Sequence, residues 1–132
     1  MSRKPHCILL LLVIIFSPAC TTSGAYPMVS TGGSVSASSI PAAFHGQWTN
    51  YSTGIHLPGE DPTQISSRRI VGHESNGEVA AVRIHSPTDI TVTCKYSGEG
   101  MEWVETNRYT LAPNRNSMLV DGDQQSRLYR MR

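Results

Sequence analysis

The stretch Ile90-Thr91-Val92-Thr93-Cys94-Lys95-Tyr96 alternates apolar and polar residues without a break. Ile90, Val92, Cys94 and Tyr96 fall on one face, and Thr91, Thr93 and Lys95 on the other. A period of two is what a half-buried antiparallel strand requires, because successive side chains point to opposite sides of a sheet. Cys94 sits on the apolar face, where a free cysteine behaves as a small hydrophobic residue. Turn-forming residues bound the stretch, Ser86-Pro87-Thr88-Asp89 before it and Ser97-Gly98-Glu99-Gly100 after it.

Working outward, the same pattern repeats. Met101 to Leu111 reads as a strand with Trp103, Tyr109 and Leu111 on one face and Glu102, Thr106, Arg108 and Thr110 on the other. Pro113-Asn114-Arg115-Asn116 turns the chain, and Ser117 to Val120 and Arg127 to Met131 close it around Asp121-Gly122-Asp123. Upstream, Glu78 to His85 places Ala80, Val82 and Ile84 on one face, and Ser75-Asn76-Gly77 ahead of it predicts a tight hairpin turn. Thr63 to Glu74 reads as strand, divisible at Ser66-Ser67, with Ile65, Ile70 and Val71 as its apolar content. Asn50 to Pro62 is a loop. Pro41-Ala42-Ala43-Phe44 reads as a short helical turn, and His45-Gly46-Gln47-Trp48-Thr49 opens the first strand. About seven short strands with almost no helix make an all-β domain, a small antiparallel meander closing as a barrel or a sandwich. The barrel is favoured because closure removes exposed edges.

The beginning of the chain has a different grammar. Arg3 and Lys4 precede nine apolar residues, Ile8 to Phe16, followed by Ser17-Pro18-Ala19-Cys20. A membrane-spanning helix needs roughly 17 to 25 apolar residues. A basic start, a short apolar core and small residues before a cut are the layout of an export signal. Residues 1–19 are therefore read as a signal peptide, 20–39 as a flexible Ser/Gly-rich tether, and 40–132 as the β domain. A coil of about 20 such residues typically spans on the order of 25 Å.

Ser17-Pro18-Ala19-Cys20 resembles the bacterial lipobox, whose cysteine becomes the acylated first residue. It departs from that pattern in Ser17 and Pro18, where the family usually has Leu and then Ala or Ser. The resemblance implies lipidation at Cys20. Thr21 rather than Asp after the cysteine implies the outer membrane, on its periplasmic side. Ser17-Pro18-Ala19 and Ser23-Gly24-Ala25 also suit an ordinary signal peptidase, which leaves a periplasmic or secreted product. Where Cys20 is retained and not lipidated, a Cys20–Cys94 bridge becomes possible, closing a long loop worth several kcal/mol. Gly46-x-Trp48 at the head of the first strand is similar to the lipocalins, where the tryptophan closes one end of the barrel. Pro41-Ala42-Ala43-Phe44-x-Gly46-x-Trp48, Ile70-x-Gly72-x-Glu74-Ser75-x-Gly77-x-Val79 and Glu99-Gly100-x-Glu102-Trp103 together resemble a group of small exported proteobacterial proteins. That likeness covers residue 40 to the end and implies a fold, not an activity. Members often carry a cysteine after the tryptophan and another near the C-terminus. This chain has neither, so no disulfide carries over.

Charge narrows the partners. Eleven basic residues, less Arg3 and Lys4 of the leader, stand against ten acidic ones. A near-neutral domain without a basic cluster excludes nucleic acid as an expected partner. His45, His56, His73, Glu74, His85 and Cys94 are the candidate metal ligands, yet no two histidines have a recognised ligand spacing. His73 and Glu74, adjacent on a strand, are expected to point to opposite faces. No Gly-x-Ser-x-Gly elbow or phosphate-cradling loop is present. The carboxylate pairs Glu99/Glu102 and Glu74/Glu78 flank or span turns. Glu74, Glu78, Glu102 and Arg108 are expected to pair across neighbouring strands. The resulting expectation is a lipid-anchored, periplasm-facing binding module for a protein partner, non-enzymatic and without cofactor or metal. The alternative is a lipocalin-like carrier of a small apolar ligand, which needs an apolar cavity of roughly 300–1,000 Å³.

Overall fold

The computed structural model describes residues 33–55 and 57–132. The leader and Cys20 lie outside the described residues, as does His56. Nine strands are formed: β1 Val35–Ala37, β2 Gly46–Thr49, β3 Thr63–Ile65, β4 Arg69–Gly72, β5 Ser75–Ser86, β6 Asp89–Gly98, β7 Met101–Leu111, β8 Ser117–Asp121 and β9 Ser126–Arg130. Among the described residues the one helical piece is a 3-10 turn at Ala42–Phe44. No described helix is long and apolar enough to cross a membrane.

From β2 to β9 each strand pairs antiparallel with the next, and β9 returns to β2 through Trp48↔Arg130 and Thr49↔Tyr129. The meander is thus a closed eight-stranded barrel. β1 is a ninth strand outside the ring, within the stretch read as tether. Its place has a simple cause. β4 pairs with β5 only from Ser75 to Glu78, which leaves the lower half of that edge of β5 bare. β1 covers it, pairing Val35↔Ile84, Ser36↔Arg83 and Ala37↔Val82.

The period-two stretch lies on β6, and Ile90, Val92, Cys94 and Tyr96 all face the interior. β5 does not keep the alternation expected of it. Val79 lies opposite Cys94 but Ala81 lies opposite Thr93, so Ala80 is an extra residue in a β-bulge. The bulge reverses the phase: Val79 and Val82 are buried, while Ala80 is exposed. A strict period-two reading had turned Ala80 inward.

The hairpin turn expected at Ser75-Asn76-Gly77 falls earlier. Gly72 pairs with Ser75, so the turn residues are His73 and Glu74, and Asn76 and Gly77 lie inside β5. Glu74 supplies the left-handed conformation, with φ 56°. Gly77 serves packing instead. A Cβ there would stand 2.5 Å from Cε1 of Tyr96, so only glycine lets that ring lie flat against β5. The β6–β7 turn has φ 48° at Glu99 and 78° at Gly100, both positive as tight hairpins favour.

One end of the barrel is plugged by the 3-10 turn and by Trp48, which is fully buried beside Phe44. Trp48 Nε1 donates to the Phe44 carbonyl at 3.0 Å. The Arg130 guanidinium lies 4.3 Å from the centre of the Trp48 ring. It donates to the carbonyls of His45 (2.6 Å), Ala43 (2.9 Å) and Arg115 (3.1 Å). Gly46, at φ 133°, makes room for it: a Cβ there would come within 2.9 Å of Arg130 Nη1.

Two substitutions test this packing. Arg130→Lys keeps the charge but loses the planar fork, and should cost about 1–3 kcal/mol in denaturant unfolding. Gly77→Ala forces a methyl into the Tyr96 ring and should cost a similar ~1–3 kcal/mol, with loss of the near-ultraviolet circular dichroism of the aromatic pair.

Candidate functional site

The two ends of the barrel differ. The plugged end holds the β5–β6 turn and the β7–β8 turn. Ile40, Phe44, Ile65, Ile70 and Ile90 meet there without room for a water molecule. The other end holds the His73-Glu74 and Glu99-Gly100 turns and the loop after β8. It opens into a cup of about 270 Å³.

The inward face of β7 explains the contrast. From the plugged end outward it carries Leu111, Tyr109, Asn107, Glu105 and Trp103. Leu111, Tyr109 and Asn107 are buried, Glu105 is half-buried, and Trp103 is 39 % exposed at the rim. The strand therefore grows polar toward the mouth. Trp103 stacks on Tyr96 across the β6–β7 pair, with centroids 5.5 Å apart and planes 14° apart. Ser75 and Ser126 add hydroxyls to the wall, and Ile70 and Leu128 line the cup with Tyr109.

Glu105 is the one charged side chain among the described residues lining the cup. Asn107 Nδ2 donates to its Oε1 at 2.7 Å. Burial pushes the Tyr109 phenol up to about 12 and raises Tyr96 still further. Both are held as neutral hydroxyls, so they serve as hydrogen-bonding and stacking surfaces rather than as bases.

Most residues singled out in the sequence lie elsewhere. His45 Nε2 hydrogen-bonds the Ile40 carbonyl at 2.8 Å. His85 Nε2 is 2.8 Å from the Thr91 hydroxyl. His73 stands in the turn, not on a strand, with Asp61 at 3.4 Å and Glu74 at 3.5 Å, so the expected opposition of His73 and Glu74 does not occur. Cys94 is buried and bonds to no cysteine among the described residues, and burial raises its thiol. Among the described residues no three metal-ligating side chains converge. Of the set Glu74, Glu78, Glu102 and Arg108 only Glu78 and Glu102 share a hollow, together with Arg69 and Lys95. Glu78 lies in register between Arg69 and Lys95, and Glu102 opposite Ser97. Arg108 forms a fork with Asp89, at 2.9 and 2.6 Å, which lowers that carboxyl below its usual range. Arg108 is 56 % exposed, so this pair adds little to stability.

Glu105 and Asn107 were missed as site residues because the face of β7 was read from its apolar members alone. Their parity with Trp103 and Tyr109 was the available signal. Compared with models of protein families, with curated proteins and with solved structures, the chain matches none.

The buried phenols predict an alkaline limit. An unfolded tyrosine loses its proton near pH 10, and Tyr109 in the barrel near 12, so between these values the unfolded state binds fewer protons and stability falls as pH rises. In an alkaline titration, the phenolate absorbance of Tyr96 and Tyr109 should appear together with the loss of far-ultraviolet circular dichroism. Replacing both by Phe should remove their part of that pH dependence.

Proposed function

We propose that this protein is a lipid-anchored envelope module that binds a partner at its open end and catalyses no reaction. The leader, the lipobox-like Ser17-Pro18-Ala19-Cys20 and the Ser/Gly-rich segment behind it supply the address and the anchor. The observation that carries the reading is the opposition of the two ends. β1 begins at Val35 beside Ile84, near the plugged end, and the cup opens at the other end of β5, about 30 Å away at strand spacing. A tether joined to β1 therefore attaches at the end opposite the cup and leaves the mouth unobstructed.

The mouth suits a docking role. Met101, Trp103 and Val104 expose apolar surface at the start of β7, at 61 %, 39 % and 65 %. Aromatic and methionine side chains of this kind are enriched where proteins meet. The cup itself is small and carries a carboxylate. It suits a polar group better than the apolar ligand of a lipocalin-like carrier, which needs roughly 300–1,000 Å³ of apolar space.

The anchor is tested in a Gram-negative host by fractionation and intact mass. The mature product should begin at Cys20 and carry acyl chains, each buried methylene adding about 0.8 kcal/mol of membrane affinity. Cys20→Ser should move the protein from the membrane to the soluble fraction. Retention of Cys20→Ser in the membrane, or a product still beginning at Met1, would sink the anchor. The binding role predicts an envelope partner captured by the native protein and lost with Trp103→Ala.

A further inference from the structure

We infer that the cup is a receptor for a guanidinium group. The inference rests on the cup being the binding end and adds the chemistry of what it takes. A half-buried carboxylate stands in the wall with no cation among the described lining residues. A carboxylate withdrawn from water is stabilised by an opposite charge that also donates hydrogen bonds. Asn107 Nδ2 already donates to Oε1 and holds the group in place, which leaves Oε2 and the second lone pair of Oε1 as acceptors.

The wall beside the carboxylate decides between cations. Tyr96 and Trp103 form a stacked aromatic pair with nearly parallel rings, and both line the same cup. A guanidinium is flat, weakly hydrated, stacks on aromatic faces and pairs a carboxylate through two parallel N–H donors. An ammonium is compact and strongly hydrated, and does neither as well. The barrel already uses guanidinium–aromatic stacking at its plugged end, where the Arg130 guanidinium covers the Trp48 indole and donates to carbonyl oxygens. At about 270 Å³ the cup holds the tip of a side chain or a small guanidine rather than a whole cofactor. Ser75 and Ser126 offer hydroxyl acceptors for the remaining N–H groups.

The experiment follows the indole N–H resonances of the labelled mature protein during titration with N-butylguanidinium. The two tryptophans mark the two ends, so binding in the cup moves Trp103 and leaves Trp48 in place. For a ligand of this size a Kd on the order of 1 mM is expected. Glu105→Gln preserves the shape and the acceptor for Asn107, and should weaken binding about tenfold. Its aromatic circular dichroism, unchanged, shows that the barrel is intact. N-butylammonium should bind more weakly, and the neutral, flat N-butylurea weakest of all.

Equal affinity for N-butylurea, an unaffected Glu105→Gln, or shifts at Trp48 instead of Trp103 would overturn the assignment. A capped arginine peptide separates the sources: tighter binding than N-butylguanidinium supports an arginine of a partner protein, and weaker binding supports a free guanidine. The broader binding role is judged by partner capture and its loss in Trp103→Ala. A cup that ignores guanidinium while that capture persists would overturn only the ligand chemistry.

Discussion

The contact between Arg130 and Trp48 is the point on which the barrel depends. A meander becomes a barrel only when its last strand reaches its first, and here the first is four residues long. β2 and β9 share just two residue pairs, Trp48↔Arg130 and Thr49↔Tyr129. So short a seam carries few backbone hydrogen bonds. Arg130 reinforces it by tying the 3-10 turn and the β7–β8 turn to β9 through three carbonyl oxygens, with its charge spread over the buried indole. Neutral acceptors suit this position. They satisfy the fork without drawing a second charge out of water.

Plugging one end has a consequence at the other. The core is concentrated where Phe44, Trp48, Ile90 and Met118 are fully enclosed, and it thins along β6, β7 and β8 toward the mouth. The inward face of β7 can then change from Leu111 to Asn107 and Glu105 without leaving a charge in a dry interior. The Asn107–Glu105 hydrogen bond lies where the two environments meet. The same gradient keeps Tyr109 and Tyr96 neutral, since burial disfavours a phenolate and no cation lines the cup among the described residues. The barrel thus opens into a small cup with acidic and aromatic walls, at the end opposite the N-terminal strand β1.

Much of this was legible residue by residue. The alternation from Ile90 to Tyr96, the break at Ser66-Ser67, the short turn after Pro41 and the Gly-x-Trp opening all matched local structure, because each is decided within a few residues. The misreadings share one cause. Asn76-Gly77 has the composition of a turn, yet its glycine is needed for the Tyr96 ring that crosses it from β6. Ala80 keeps the alternation in the sequence, yet a bulge reverses the phase there. Val35–Ala37 has no apolar period, yet it pairs because β4 is too short to cover β5. In each case a neighbouring strand made the decision.

The amino-acid order alone determined the period of the strands, the places where the chain can turn and the all-β class, since pleat, left-handed turns and the burial of alternate side chains are local physics. Only the tertiary structure decided that eight strands close into a ring, that a ninth lies outside it, which end is filled, and that Glu105 shares a cup with Tyr96 and Trp103. Those outcomes rest on pairings between residues far apart along the chain. Such pairings have no local signature, because their free energy exists only once the partner strand has arrived.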